Sequence, residues 1–205
     1  ADLLQSILGK TLLVLTFRTK KEGGQKDISL EEYKRLLLAV AKSGKTDMID
    51  VEAFRGYDVS EQKETFSVDD TENEAIRSLI NELSGNVCVI GSYHDFEKTP
   101  ERGVLQMILE KMYHGGADIV KLAVMPQNRL DVLNLLSATE SFVEEHHDTP
   151  AITMSMGKDG VISRLCGEVF GSCVTFGSHE KASAPGQMQM DDLKTVLEKI
   201  HKSIS

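Results

Sequence analysis

Apolar and polar positions alternate along this chain in blocks rather than residue by residue. Six short apolar runs, rich in β-branched residues, read as strands: Leu12–Arg18, Met48–Phe54, Val87–Phe96, Asp118–Gln127, Ala151–Met156 and Cys173–Gly177. Between them the apolar positions recur at helical spacing. Leu30, Tyr33, Leu37, Val40 and Ala41 mark one helix, opened by a Ser29–Glu32 capping box. Ala75–Leu83 marks the next, and a third is capped by Thr99, with Pro100 at its first helical position, and stops at Gly115-Gly116. Asn128 caps a long helix from Arg129 to about His146, Val161–Phe170 is short, and Met190–Ile204 closes the chain. That last helix carries Met190, Leu193, Val196, Leu197, Ile200 and Ile204 on one face. Asp2–Leu8 reads as the tail of a leading helix, with Gly9 as its stop. Gly56–Glu74 is polar and mostly acidic, and reads as an insertion or long loop in a single domain spanning 1–205.

Strand and helix therefore alternate through six repeats. Strict alternation predicts a parallel sheet, and continuously apolar strands predict that both its faces are covered. A doubly wound open sheet and a (β/α)₈ barrel both fit this pattern. A barrel needs eight units and typically about 250 residues. No glycine-rich nucleotide-binding loop follows any strand.

Charge narrows the partners. A net charge of −9 and a pI near 5.2 argue against nucleic acid and anionic membrane. No apolar run approaches the roughly 18 residues of a membrane span. The N-terminus has no basic region followed by a cleavable apolar segment, so a cytoplasmic protein is expected. Cys88, Cys166 and Cys173 lack metal-type spacing and read as packing thiols of a reducing compartment.

The candidate chemistry lies at the ends of the strands. Lys121 interrupts an otherwise apolar run, where an ammonium is costly to desolvate. Burial in a closed apolar site depresses a lysine pKa, and a neutral amine attacks carbonyls. An edge-strand lysine facing solvent is the ordinary alternative. Arg18 and Glu22 follow the first strand, Glu52 lies in the second, and His94 and Asp95 end the third. Met154 and Met156 are on the fifth, Arg164 follows it, and Ser183 and Gln187 follow the sixth. In a parallel barrel such C-terminal strand ends share one mouth.

These segments carry a resemblance. LTFRTKKEGG, SYHDF, VKLAVMPQ, ITMSMGKDGVISRLCGEVFGS, TFG and KASAPGQ, in that order from Leu12 onward, are similar to type I 3-dehydroquinate dehydratase. The resemblance implies a parallel (β/α) barrel of the TIM type, a homodimer, and no metal or organic cofactor. It implies dehydration of 3-dehydroquinate to 3-dehydroshikimate through a lysine Schiff base, a step of chorismate biosynthesis. Carried over motif by motif, Lys121 forms the Schiff base, His94 is the general acid and base, and Glu22 orients it. Arg18 is a substrate-site residue, and Arg164 binds the substrate carboxylate. Ser183 and Gln187 bind hydroxyls and carboxylate, and Met154 and Met156 line the site. The family's first strand, and a second carrying a Glu-x-Arg motif, have no counterpart here. About six of the eight units are therefore expected, with the chain N-terminally incomplete relative to the family. A truncated, non-catalytic binding module, or another Schiff-base lyase or aldolase on the same fold, is the alternative.

Overall fold

The computed structural model describes residues 9–55 and 71–205. The expected leading helix at Asp2–Leu8 and most of the expected insertion at Gly56–Glu74 lie outside the described residues. The chain divides into two compact units. One comprises Ala1–Tyr93 with Met112–Ile119, the other His94–Lys111 with Val120–Ser205.

The first unit holds strands β1 (Val14–Thr16), β2 (Met48–Glu52) and most of β3 (Cys88–Asp95), with helices α1 (Leu30–Ser43) and α2 (Thr71–Leu83). The strands are parallel and neighbour one another in chain order. Each is joined to the next by a helix, as a parallel crossover requires. The capping box forms: the Ser29 hydroxyl accepts from the Glu32 N–H, and the Glu32 carboxylate accepts from the Ser29 N–H. α2 begins at Thr71, so the last residues of the expected insertion belong to a helix instead.

β2 departs from the expectation of continuously apolar strands. Ile49 and Val51 point to one side and Asp50 and Glu52 to the other, all buried. The apolar side packs with Val89 of β3, Tyr33 and Leu37 of α1, and Ile76, Leu79, Ile80 and Leu83 of α2. Leu79 is fully buried there, and Leu79→Ala would cost about 2–5 kcal/mol. The polar side faces away from that core, and charge is tolerated there because it is paired.

The second unit holds the rest of β3, most of α3 (Arg102–His114), β4 (Ile119–Val124), α4 (Arg129–Glu145), β5 (Ala151–Ser155), α5 (Val161–Leu165) and α6 (Met190–Ile204). β4 and β5 pair in parallel, with Lys121 beside Ile152 and Ala123 beside Met154. Asn128 caps α4 by accepting from the Leu130 and Asp131 N–H groups. α4 packs on β5, and a buried bond between Thr139 and Thr153 hydroxyls, 2.7 Å, ties the two. Thr99 is not a cap: α3 starts at Arg102, and the buried Thr99 hydroxyl has no hydrogen-bond partner.

The expected sixth strand at Cys173–Gly177 does not form among the described residues. A single bridge joins Ser172 to Ala151. The Ser172 hydroxyl accepts from the Thr153 N–H at 2.9 Å and donates to the Thr153 carbonyl, so a side chain takes the place of the next ladder bond. Beyond it Val174 and Phe176 are partly exposed.

Candidate active site

Strand periodicity assembles the polar cluster of the first unit. Side chains two apart share a face, and paired parallel residues point the same way. Thr16 pairs with Asp50, and Glu52 with Ser92. Asp50, Glu52 and Ser92 therefore share a face opposite the core, and Arg18, two residues past Thr16, joins them. The Arg18 guanidinium donates to Asp50 at 2.7 Å, to Glu22 at 3.1 Å, to Glu52 at 3.3 Å and to the Ser92 hydroxyl at 3.0 Å. Ser92 in turn donates to Asp50 at 2.6 Å. Burial disfavours the Arg18 charge, but Asp50, Glu22 and Glu52 more than offset this and hold its pKa above the ordinary value.

The turn after β1 presents Glu22. Lys20–Glu22 is one turn of 3₁₀ helix, closed by Gly23 in the left-handed region. The Glu22 and Gly24 N–H groups both donate to the Thr19 carbonyl, at 3.2 and 2.7 Å. A Cβ on Gly24 would lie 1.8 Å from the Arg18 carbonyl oxygen, so only glycine allows the chain to fold back this tightly. Glu22 is buried as a result, and its carboxylate faces Arg18.

In the second unit, β4 alternates Val120, Leu122 and Val124 on one face with Lys121 and Ala123 on the other. Lys121 is 8% exposed, and its Nζ lies 5.1 Å from the centroid of the Phe176 ring. Register puts Met154 on the Lys121 face, next to Ala123. Met154 Sδ is 3.3 Å from the Arg164 guanidinium, which α5 carries inward. Arg164 is 3% exposed. Its other contact is a bond to the Pro185 carbonyl at 3.2 Å, and its Nε has no partner. Among the described residues no carboxylate pairs with it, and burial alone lowers its pKa. A cation this deep is costly to bury, and its planar fork matches a carboxylate.

The comparisons decide what such a face belongs to. The type I 3-dehydroquinase family profile matches residues 1–204. The chain belongs to the type I 3-dehydroquinase family. It is 49% identical over 189 residues to a 3-dehydroquinate dehydratase of Clostridium kluyveri, covering 92% of this chain and 68% of that one. A Salmonella agona 3-dehydroquinate dehydratase is 47% identical over 203 residues, covering 99% and 75%. The solved type I enzyme of Clostridium difficile, covalently modified by comenic acid, superposes with a TM-score of 0.86 at 43% identity. That match covers 98% of this chain and 74% of the other. The Enterococcus faecalis enzyme gives 0.80 at 36%, covering 97% and 72%. The five strands and six helices described here thus belong to a (β/α)₈ barrel fold, part of which they make up.

Within this type I member the expected residues fall into two groups. Arg18 and Glu22 meet directly in the first unit. In the second, Lys121 shares a strand face with Met154, Met154 touches Arg164, and Met156 is buried just past β5. His94 is half-buried at the end of β3, two residues beyond Ser92. Ser183 and Gln187 bond to each other, with Gln187 Oε1 2.8 Å from the Ser183 N–H. Neither reaches Arg164; the loop's contact with it is the Pro185 carbonyl. Asp50, Ser92, Thr19 and Phe176 were not singled out by sequence. The D-x-E alternation in β2 was the available signal for Asp50. A further acidic group, Glu110, Glu145 and His146, holds ligand atoms within 4.8 Å of one another. Glu110 and His146 already pair at 2.8 Å, at the end of α4 that leads into the start of β5.

Proposed function

We propose that Lys121 forms the Schiff base, His94 moves the protons and Arg164 binds the substrate carboxylate as this hydro-lyase converts 3-dehydroquinate to 3-dehydroshikimate and water. Family membership supports the reaction. The observation that carries the assignment of groups is Arg164, a buried guanidinium without a counter-anion, against Met154 on the face that bears Lys121.

The chemistry follows from the substrate, a β-hydroxy ketone. Lys121 Nζ adds to the ketone carbon, water leaves, and an iminium forms. The iminium is an electron sink that makes the adjacent C–H acidic, which splits one difficult step into easier ones. A neutral His94 imidazole takes that proton, and the enamine electrons then expel the hydroxyl group. His94, now protonated, gives its proton to the departing oxygen, so water leaves. Hydrolysis of the conjugated imine restores Lys121 and releases product. Positioned acid–base groups of this kind contribute about 10²–10⁴-fold. Glu22 fixes the imidazole's tautomer and orientation, as the third member of a triad does. Arg18, Ser183 and Gln187 hold the substrate, and Met154 and Met156 wall off water.

The chain acts as one domain over 1–205 with an addition between β2 and α2, and works in the cytoplasm as a homodimer. No helix among the described residues is long and apolar enough to cross a membrane. Partly exposed Leu12 and Val14 along β1 favour association.

Turnover is read from the ultraviolet absorbance of the conjugated product. His94→Ala should still form the imine slowly yet lose dehydration by about 10²-fold or more. Near-normal turnover in that variant removes His94 from the mechanism.

A further inference from the structure

The turn that carries Arg18 and Glu22 is held from below by a residue to which no role has been given. Glu52 is 1% exposed on β2. One carboxylate oxygen accepts the Thr19 N–H at 2.7 Å, and the other accepts the Thr19 hydroxyl at 2.9 Å. Thr19 sits between Arg18 and the 3₁₀ turn, and its carbonyl accepts from both Glu22 and Gly24. Glu52 thus grips the residue whose carbonyl closes the turn; a second tie runs from the Lys20 N–H to the Asp27 carboxylate at 3.1 Å.

The distances say which of its contacts matters. Arg18 is 2.7 Å from Asp50 and 3.1 Å from Glu22, but 3.3 Å from Glu52. Glu52 is therefore the weakest of the three partners for the guanidinium, and its short bonds go to Thr19. Its own backbone is fixed twice, by the ladder with β3 and by its N–H donating to the Tyr33 hydroxyl at 2.9 Å. Tyr33 is fully buried on α1, edge-on to Phe17. A rigid strand reaches out with a carboxylate to hold a loop that bears two site residues. Such a charge is a poor device for stability alone, because well-packed apolar residues serve a core as well or better. Holding functional side chains to a fraction of an ångström is a use that warrants it.

We propose that Glu52 is a positioning residue of the dehydration: through Thr19 it sets the placement of Arg18 and Glu22, and it touches no reacting atom. This rests on the roles proposed above for Arg18 and Glu22.

Three variants of the full chain test it: Glu52→Gln, Thr19→Val and the double variant. Borohydride reduction in the presence of 3-dehydroquinate, read by intact mass, counts the sites able to form the imine. Rates are then expressed per trapped site, which sets aside any unfolded fraction. Losing a charge-assisted grip should lower kcat/KM per site about 10- to 100-fold in Glu52→Gln, with kcat falling and KM rising together. Thr19→Val loses only the hydroxyl leg and should fall less, in the same direction. Because both act through one contact, the double variant should be no worse than Glu52→Gln. A purely structural role predicts otherwise: a lower Tm and fewer trapped sites, with kcat and KM per site unchanged. That result, or multiplicative losses in the double variant, overturns the proposal. If Glu52→Gln does not fold, Thr19→Val decides on the same criterion. Wild-type turnover separates the two readings. Its absence removes the proposed function and this inference with it, whereas normal turnover in wild type and variants alike removes this inference only.

Discussion

A buried guanidinium without a counter-ion is costly, and Arg164 is retained in that state at 3% exposure. Two opposite consequences follow from one substitution. Arg164→Met removes a desolvated charge, so the substrate-free protein should melt at a higher temperature than wild type. The same change deletes a charge-assisted contact to the substrate carboxylate, and KM should rise about 10- to 100-fold. Calorimetry and steady-state kinetics on one preparation check both; an unchanged KM would take the carboxylate away from Arg164. At this scale, Lys121 stands out in the sequence as a charge in an apolar run, whereas Arg164 taken singly reads as a surface charge and only the motif resemblance picks it out; the structure buries both. Phe176 was not, since an aromatic in an apolar run signals packing. Its place over Lys121 depends on a chain segment that never becomes a strand. Asp50 and Ser92 were equally hidden, because their partner Arg18 lies on another strand and only register brings them together.

Elements set how accurately those side chains are held. The turn from Thr19 to Gly24 folds back so closely that Gly24→Ala must push the Arg18 carbonyl away. The expected result is a fold that survives, with activity reduced at least tenfold (about 1.4 kcal/mol in the transition state), because Glu22 moves with the turn. Full activity would mean that the turn is not a fixed part of the site. Asn128→Ala makes the complementary case. It strips two capping bonds from α4 without removing a side chain proposed to act on the substrate. It should cost about 0.5–2 kcal/mol in denaturant unfolding and leave kcat unchanged. The Ser29–Glu32 capping box and the Asn128 cap could be read from sequence because they depend on neighbours within one turn. The sixth strand could not: Cys173–Gly177 has the composition of a strand, but pairing is decided by what lies beside it. There the Ser172 hydroxyl, not a further peptide, answers Thr153. Thr99 failed as a cap for a similar reason. Composition marks where a helix can start, and the chain starts this one at Arg102.

Across the whole molecule, apolar side chains remain open at and just before β1, where Leu12 and Val14 are 61% and 45% exposed. Among the described residues β1 pairs with β2 alone. An edge of that kind invites a second chain. The purified protein should run as a dimer or larger species in light scattering at micromolar concentration, and Val14→Lys should shift it toward monomer. A monodisperse wild-type monomer would contradict this. Parallel βα order was legible from the alternation of blocks, and the family from motifs at the ends of five of the six expected strands, Met48–Phe54 carrying none. The polar face of β2 was not, since its residues look like interruptions in an apolar run. The most direct test of the account is covalent. Wild-type protein and Lys121→Met are each incubated with 3-dehydroquinate, reduced with borohydride and weighed intact, with the modified peptide mapped. The account predicts one adduct per wild-type chain, on Lys121, and none in the variant. An adduct that persists in Lys121→Met, or maps to another lysine, contradicts it.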